Sequence, residues 1–134
     1  MRLSAELLGS SEQRTNPLGE REIVLRGLAI PAMEHLGVTR DAFDTFDFTD
    51  NRLTRLDNIP RLLRCSSLLL ASNLIQSIDH ANLHKNLPNL KYLELSYNQI
   101  SSLHEVSQLG EACPKLEFLS LAGNPVTSTY DSLS

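Results

Sequence analysis

Few groups of residues in this chain have types and spacings suited to chemistry. His80 and His84 stand four apart, which puts two imidazoles on one face of a helix, where zinc could be held. Zinc needs a third and usually a fourth ligand. Neither HExxH nor a paired CxxC accompanies the two histidines, so they read as solvated side chains. Asp44, Asp47 and Asp50 recur every third residue and could surround a cation, but no calcium loop with its closing Glu follows them. They read as solvated surface acids. Cys65 falls on an apolar position and reads as a buried thiol rather than a nucleophile. With only Cys113 beside it there is no disulfide framework. A Walker-type phosphate loop and a GxGxxG turn are both missing from the sequence. The expectation is therefore a chain with no catalytic residues, metal, cofactor or small-molecule substrate, and not an enzyme.

The informative spacing belongs to asparagine. Asn51, Asn73, Asn98 and Asn124 are separated by 22, 25 and 26 residues. Each closes the same pattern, apolar-x-x-apolar-x-apolar-x-x-Asn-x-apolar: FDTFDFTDNRL from Phe43, CSSLLLASNLI from Cys65, LKYLELSYNQI from Leu90 and LEFLSLAGNPV from Leu116. An earlier degenerate copy, IVLRGLAI from Ile23 to Ile30, carries Leu28 where Asn should stand. Terminal repeats of a stack are usually atypical in this way. A repeat of ~20–29 residues with this pattern is the leucine-rich repeat.

Each position has a physical reason. The apolar-x-apolar core is a short strand with one face inward. Its inward residues are Phe46 and Phe48, Leu68 and Leu70, Leu93 and Leu95, and Leu119 and Leu121. The sharp turn after each strand leaves backbone polar groups inside the coil, and an asparagine amide can both donate to them and accept from them. The fold class is thus an α/β solenoid with a short parallel sheet on its concave face. Residues 1–20 form an N-terminal cap, with a short helix over Ser4 to Gln13 that Ser4 can cap. About five repeats fill 21–127, and 128–134 is a polar tail with the C-terminal cap missing. The returning segments, punctuated by Pro60, Pro88 and Pro114, read as helical or loop-like.

Alternation also names the outward face: Val24 and Arg26; Thr45, Asp47 and Thr49; Ser67, Leu69 and Ala71; Tyr92, Glu94 and Ser96; Phe118, Ser120 and Ala122. Tyr97 lines the same edge. Asp47 and Glu94 supply acidic points, and Leu69, Tyr92, Tyr97 and Phe118 apolar and aromatic ones. Aromatics among polar residues are typical interface anchors. The expected partner-binding set is Arg26, Thr45, Asp47, Thr49, Ser67, Leu69, Ala71, Tyr92, Glu94, Tyr97 and Phe118.

The whole-chain totals agree. The 134 residues carry a net charge of −4, against autonomous nucleic-acid binding, although all nine arginines lie between Arg2 and Arg64. No apolar run reaches the ~18 residues of a membrane span. The first residues carry Glu6 and no apolar core, so they are no secretory signal, and an intracellular, reducing setting is expected.

Several residues outside the repeat pattern point to one particular group. They are RLSAELL from Arg2, Thr15-Asn16, Arg21-Glu22, Leu25-Arg26-Gly27, Ile30-Pro31, Glu34 with Leu36-Gly37, and Phe43-Asp44 followed by Asp47-Phe48 and Asp50-Asn51. GNPVT from Gly123 to Thr127 matches the ending of that group's final repeat. In these the chain resembles the A-prime family of leucine-rich-repeat proteins of the spliceosomal U2 small nuclear ribonucleoprotein (snRNP). The stretch from Leu83 to Leu103 and the segment after Tyr130 match it less clearly. The resemblance implies a nuclear protein of pre-mRNA splicing. Its implied partner is an RNA-recognition-motif protein of the B-double-prime type, with a helix in the concave face, and the pair binds a stem-loop of U2 snRNA. It also implies roles for Arg26 and Asp47 on the concave face, and for Arg21 and Arg26 as RNA contacts. The competing expectation is a leucine-rich-repeat adaptor of cytoskeletal, ciliary or acidic nuclear-regulator type.

Overall fold

A computed structural model describes residues 1–128. The expected C-terminal tail lies almost wholly outside the described residues. At the N-terminus Ser4 does cap a helix, α1 (Ala5–Ser10), its hydroxyl accepting from Leu7 N at 3.1 Å while Leu8 is buried. The helix is shorter than Ser4–Gln13. The chain leaves it at Ser11 and forms a strand, β1 (Glu12–Thr15), that the sequence did not reveal. All four β1 residues are exposed, so the segment has no period-two signal to read. A tight turn follows, in which Asn16 Oδ1 accepts from Leu18 N and Glu20 N, both at 3.0 Å, and Gly19 takes φ 80°. This turn brings β2 (Arg21–Val24) back antiparallel to β1, covering the sheet's first edge.

From β2 onward each coil adds one parallel strand: β3 (Thr45–Asp47), β5 (Ser67–Leu69), β7 (Tyr92–Glu94) and β8 (Phe118–Ser120). The order in the sheet is β1-β2-β3-β5-β7-β8. The register places Ile23, Phe46, Leu68, Leu93 and Leu119 in one inward row. All but Leu119 are buried. Leu119 and Leu121 are half-buried, because no further described coil stacks on them.

The returning segments are mixed in structure. Between Asn51 and Asn98 they include two short strands, β4 (Arg55–Leu56) and β6 (Ser77–Ile78), paired in parallel as a second sheet. The sequence pattern suggested only helix or loop there. A strand advances about 3.3 Å per residue against 1.5 Å for a helix, so the 22-residue coil that holds β4 crosses its back with less chain when extended, and β6 pairs with it from the next coil. The longer coils have room for helices α2 (His80–Asn86), α3 (Leu103–Ser107) and α4 (Leu109–Ala112). Pro88 and Pro114 each follow a helix C-cap, where a helix must stop.

The asparagines do what the repeat requires. Asn98 Oδ1 accepts from Ile75 N at 2.9 Å, and its Nδ2 donates to Leu70 O at 2.9 Å and Leu95 O at 3.0 Å. Asn51, Asn73 and Asn124 do the same one coil apart, each bonding its own coil and the preceding one. The residue before each asparagine is left-handed: Asp50, Ser72, Tyr97 and Gly123, with Gly27 at the matching place in the first coil. Replacing Asn98 with Ala strands an N–H and two carbonyls in the interior. This should cost about 3 kcal/mol or more, read as a fall in the urea or thermal midpoint.

Candidate partner-binding face

The parallel register sorts the outward side chains into rows. Glu22, Thr45, Ser67, Tyr92 and Phe118 form the row where the strands begin, and Val24, Asp47, Leu69, Glu94 and Ser120 the next. Arg26, Thr49, Ala71, Ser96 and Ala122 follow just past the strands by the same alternation.

The two halves of this face differ. In the N-terminal half Thr45 and Asp47 are buried, which corrects the expectation that both face solvent. The cause is the β1–β2 hairpin and its neighbours. The Glu20 carboxylate accepts from Thr45 Oγ1 at 3.5 Å and Ser66 Oγ at 3.0 Å, tying the hairpin turn to two coils. Arg14 donates to the buried Glu22 at 2.6 Å. Asp47 accepts from Thr49 N at 3.0 Å and has the exposed Arg26 guanidinium 3.7 Å away. Glu20, Glu22 and Arg14 were not among the sequence candidates. Their partners lie across a hairpin that carries no pattern, so nothing in the repeat could have marked them.

The C-terminal half is open. Tyr92 and Phe118 are exposed and stack with ring centroids 4.2 Å apart and planes 7° from parallel. Leu69 is half-buried between Asp47 and Glu94 in its row. Glu94 is held in place: its Oε1 accepts from Ser96 N at 3.0 Å and also from Ser96 Oγ, which is 2.6 Å from Ser120 Oγ. Ser96 has one hydroxyl proton and gives it to Glu94, so Ser120 is the donor to Ser96. At the far end of β7 the Tyr97 ring lies over Gly123, so close that a Cβ there would meet Cδ1 at 2.4 Å. Thr49, Ser67 and Ala71 are half-buried between these features.

The remaining candidates stand apart from this face. Arg21 begins β2 and lays its guanidinium 5.4 Å from the centre of the Phe43 ring, with Gln13 as a hydrogen-bond partner. Arg26 lies five residues on, roughly 16 Å along an extended chain, so the two arginines do not form one cluster. His80 Nε2 meets the Glu105 carbonyl at 2.8 Å and His84 Nδ1 the Ala112 carbonyl at 3.3 Å. Among the described residues no three His, Cys, Asp or Glu are grouped to hold a metal ion. Asp44 accepts from Arg64 at 2.9 Å and from Arg21 N at 2.8 Å, and the Arg64 hydrogen bond holds its carboxyl below the usual range. Burial pushes the Cys65 thiol up to about 12 and the Cys113 thiol up to about 11. No described helix is long and apolar enough to cross a membrane.

Comparison with known proteins agrees with this geometry. A leucine-rich-repeat family model matches residues 1–132. The probable U2 small nuclear ribonucleoprotein A' of Caenorhabditis elegans is 44% identical over 95% of this chain and 49% of its own length. The Mycosarcoma maydis protein of that name is 47% identical over 95% of this chain and 51% of its own. The Homo sapiens protein is 40% identical over 96% and 49%. The chain thus spans about half the length of these relatives. The crystal structure of the Drosophila melanogaster SNF/U2A' complex superposes with a TM-score of 0.91 at 43% identity, over 96% of this chain and 72% of that one.

Two measurements check the side-chain chemistry. A thiol reagent at mildly alkaline pH should label neither cysteine in the folded protein and both after denaturation, because the buried thiols stay protonated. Asp44, with its folded pKa depressed, adds stability that is present above its unfolded value of about 3.9 and fades as pH falls through the lower folded value. Asp44→Asn should therefore flatten the acid limb of a plot of melting temperature against pH.

Proposed function

Since the chain belongs to the leucine-rich-repeat family and, within it, to the U2 small nuclear ribonucleoprotein A' proteins, we propose that it is a protein-binding subunit of the U2 snRNP in nuclear pre-mRNA splicing. In this reading it holds an RNA-recognition-motif protein of the B-double-prime type on its concave face. It thereby assists that protein's binding to a stem-loop of U2 snRNA.

The observation that carries the reading is the open C-terminal half of the sheet. Tyr92, Phe118 and Leu69 offer apolar and aromatic surface without breaking any core contact, beside a carboxylate already fixed in place. Large aromatics in such a setting are the usual energetic centres of interfaces. The sheet face has its backbone groups paired, so a partner meets side chains and not a strand edge. A solved neighbour of this fold is itself a complex. With a net charge of −4 the chain is poorly suited to hold RNA alone, so the partner does the reading. Arg21 stands exposed at the strand-start edge, where a phosphate could reach it; Arg26 faces Asp47 instead.

The test is co-purification with the RNA-recognition-motif protein of the same particle, with and without the stem-loop. One-to-one binding is expected, with RNA held tightly only by the pair. Phe118→Glu should weaken the protein complex about 30-fold or more while leaving the circular-dichroism spectrum and melting temperature unchanged. A folded wild-type chain that binds no such protein would return the function to a different adaptor class.

A further inference from the structure

The concave face carries three carboxylates along its rows, and two of them have a cation of their own. Glu22 is bonded to Arg14 and Asp47 faces Arg26. Glu94 has no such partner: among the described residues no arginine, lysine or histidine pairs with it. Its hydrogen bonds are to Ser96 alone, and they fix one oxygen, Oε1, leaving Oε2 with no hydrogen bond among the described residues. Two residues back on the same strand face stands Tyr92. One face of its ring is covered by Phe118. On the side away from Phe118 its register partner is Ser67 on β5, a small side chain, and Tyr92 remains exposed.

We infer that Glu94 and the face of Tyr92 away from Phe118 together form the seat for an arginine of the protein docked on this face. A planar guanidinium can stack on a tyrosine ring and donate in its own plane to a carboxylate oxygen. Same-face neighbours on a strand lie about 6.6 Å apart, within the span of one arginine head and its last methylenes. Lysine, a compact and strongly hydrated charge, would satisfy Glu94 but not the ring. The Ser120–Ser96–Glu94 chain of hydrogen bonds fixes the carboxylate beforehand, so little ordering remains when the arginine arrives. In the N-terminal half Glu22 and Asp47 are paired with arginines, and the Glu20 carboxylate is taken up by the hydroxyls of Thr45 and Ser66. This inference rests on concave-face docking and specifies its chemistry.

The experiment is a double-mutant cycle between this chain and the RNA-recognition-motif protein of the particle, measured by calorimetry at two salt concentrations. Glu94→Gln keeps the acceptor for Ser96, so the fold should be unchanged. Affinity should fall at least ~10-fold, and its dependence on salt should weaken. Alanine substitution of each surface arginine of the partner should find one whose effect largely disappears in the Glu94→Gln background and shrinks with Tyr92→Leu. If Glu94→Gln binds as wild type while Phe118→Glu is weakened, the arginine seat is wrong and the docking stands. If Glu94→Gln weakens binding but no partner arginine couples to it, the inference is also overturned. If the wild-type chain binds no such protein at all, docking and seat fall together.

Discussion

Everything in this molecule depends on how the chain turns after each inner strand. The turn points backbone N–H and carbonyl groups into a space that water cannot reach, and an asparagine amide is the side chain that answers both kinds. Asn51, Asn73, Asn98 and Asn124 each take an N–H from the preceding coil and return hydrogen bonds to carbonyls of two coils. They are at once the closure of one turn and the joint to the one before. The left-handed residue ahead of each follows from the same geometry: the chain must reverse within two residues, so Gly27 and Gly123 recur where Asp50, Ser72 and Tyr97 stand in the other coils.

Once the joints are fixed in register, the concave face follows. Equal positions of successive coils stand side by side, so the chemistry of the surface is read across repeats rather than along any one of them. This explains how the face has two characters. Its first rows are closed by the hairpin turn and by two arginines that neutralise their own carboxylates. Its last rows carry a stacked aromatic pair and an acid fixed by two serines. The A' relatives carry the name of a ribonucleoprotein particle, and for the docking proposed above this asymmetry sets a direction along the sheet.

The repeat was legible in the sequence because four asparagines at near-constant spacing, each closing the same apolar frame, arise naturally only from stacked coils. The same alternation assigned Phe46, Leu68 and Leu93 to the core and Tyr92 and Phe118 to the surface. It failed where position was set by something outside the pattern. Thr45 and Asp47 have the alternation of exposed residues but lie beneath contacts from Glu20 and Arg26. Strand β1 is exposed along its whole length and so has no hydrophobic signature. Strands β4 and β6 are two residues each, too short for any periodicity, and are defined by pairing with each other across neighbouring coils. The ion pair of Arg14 with Glu22 spans a hairpin that itself had to be known first.

The difference between strand and helix on the back reaches further than secondary structure. Paired strands are spaced about 4.8 Å apart, so where β4 and β6 lie behind the sheet the back of the stack is no thicker than its front. Helices in contact need about 8–10 Å, and α2 packs against α4 behind the last coils. The coil between Asn73 and Asn98 carries both β6 and α2, so the backing changes from strand to helix within it. Helix backing spreads the rear of a solenoid more than strand backing does, so the choice of element on the back is also what sets how strongly the front curves.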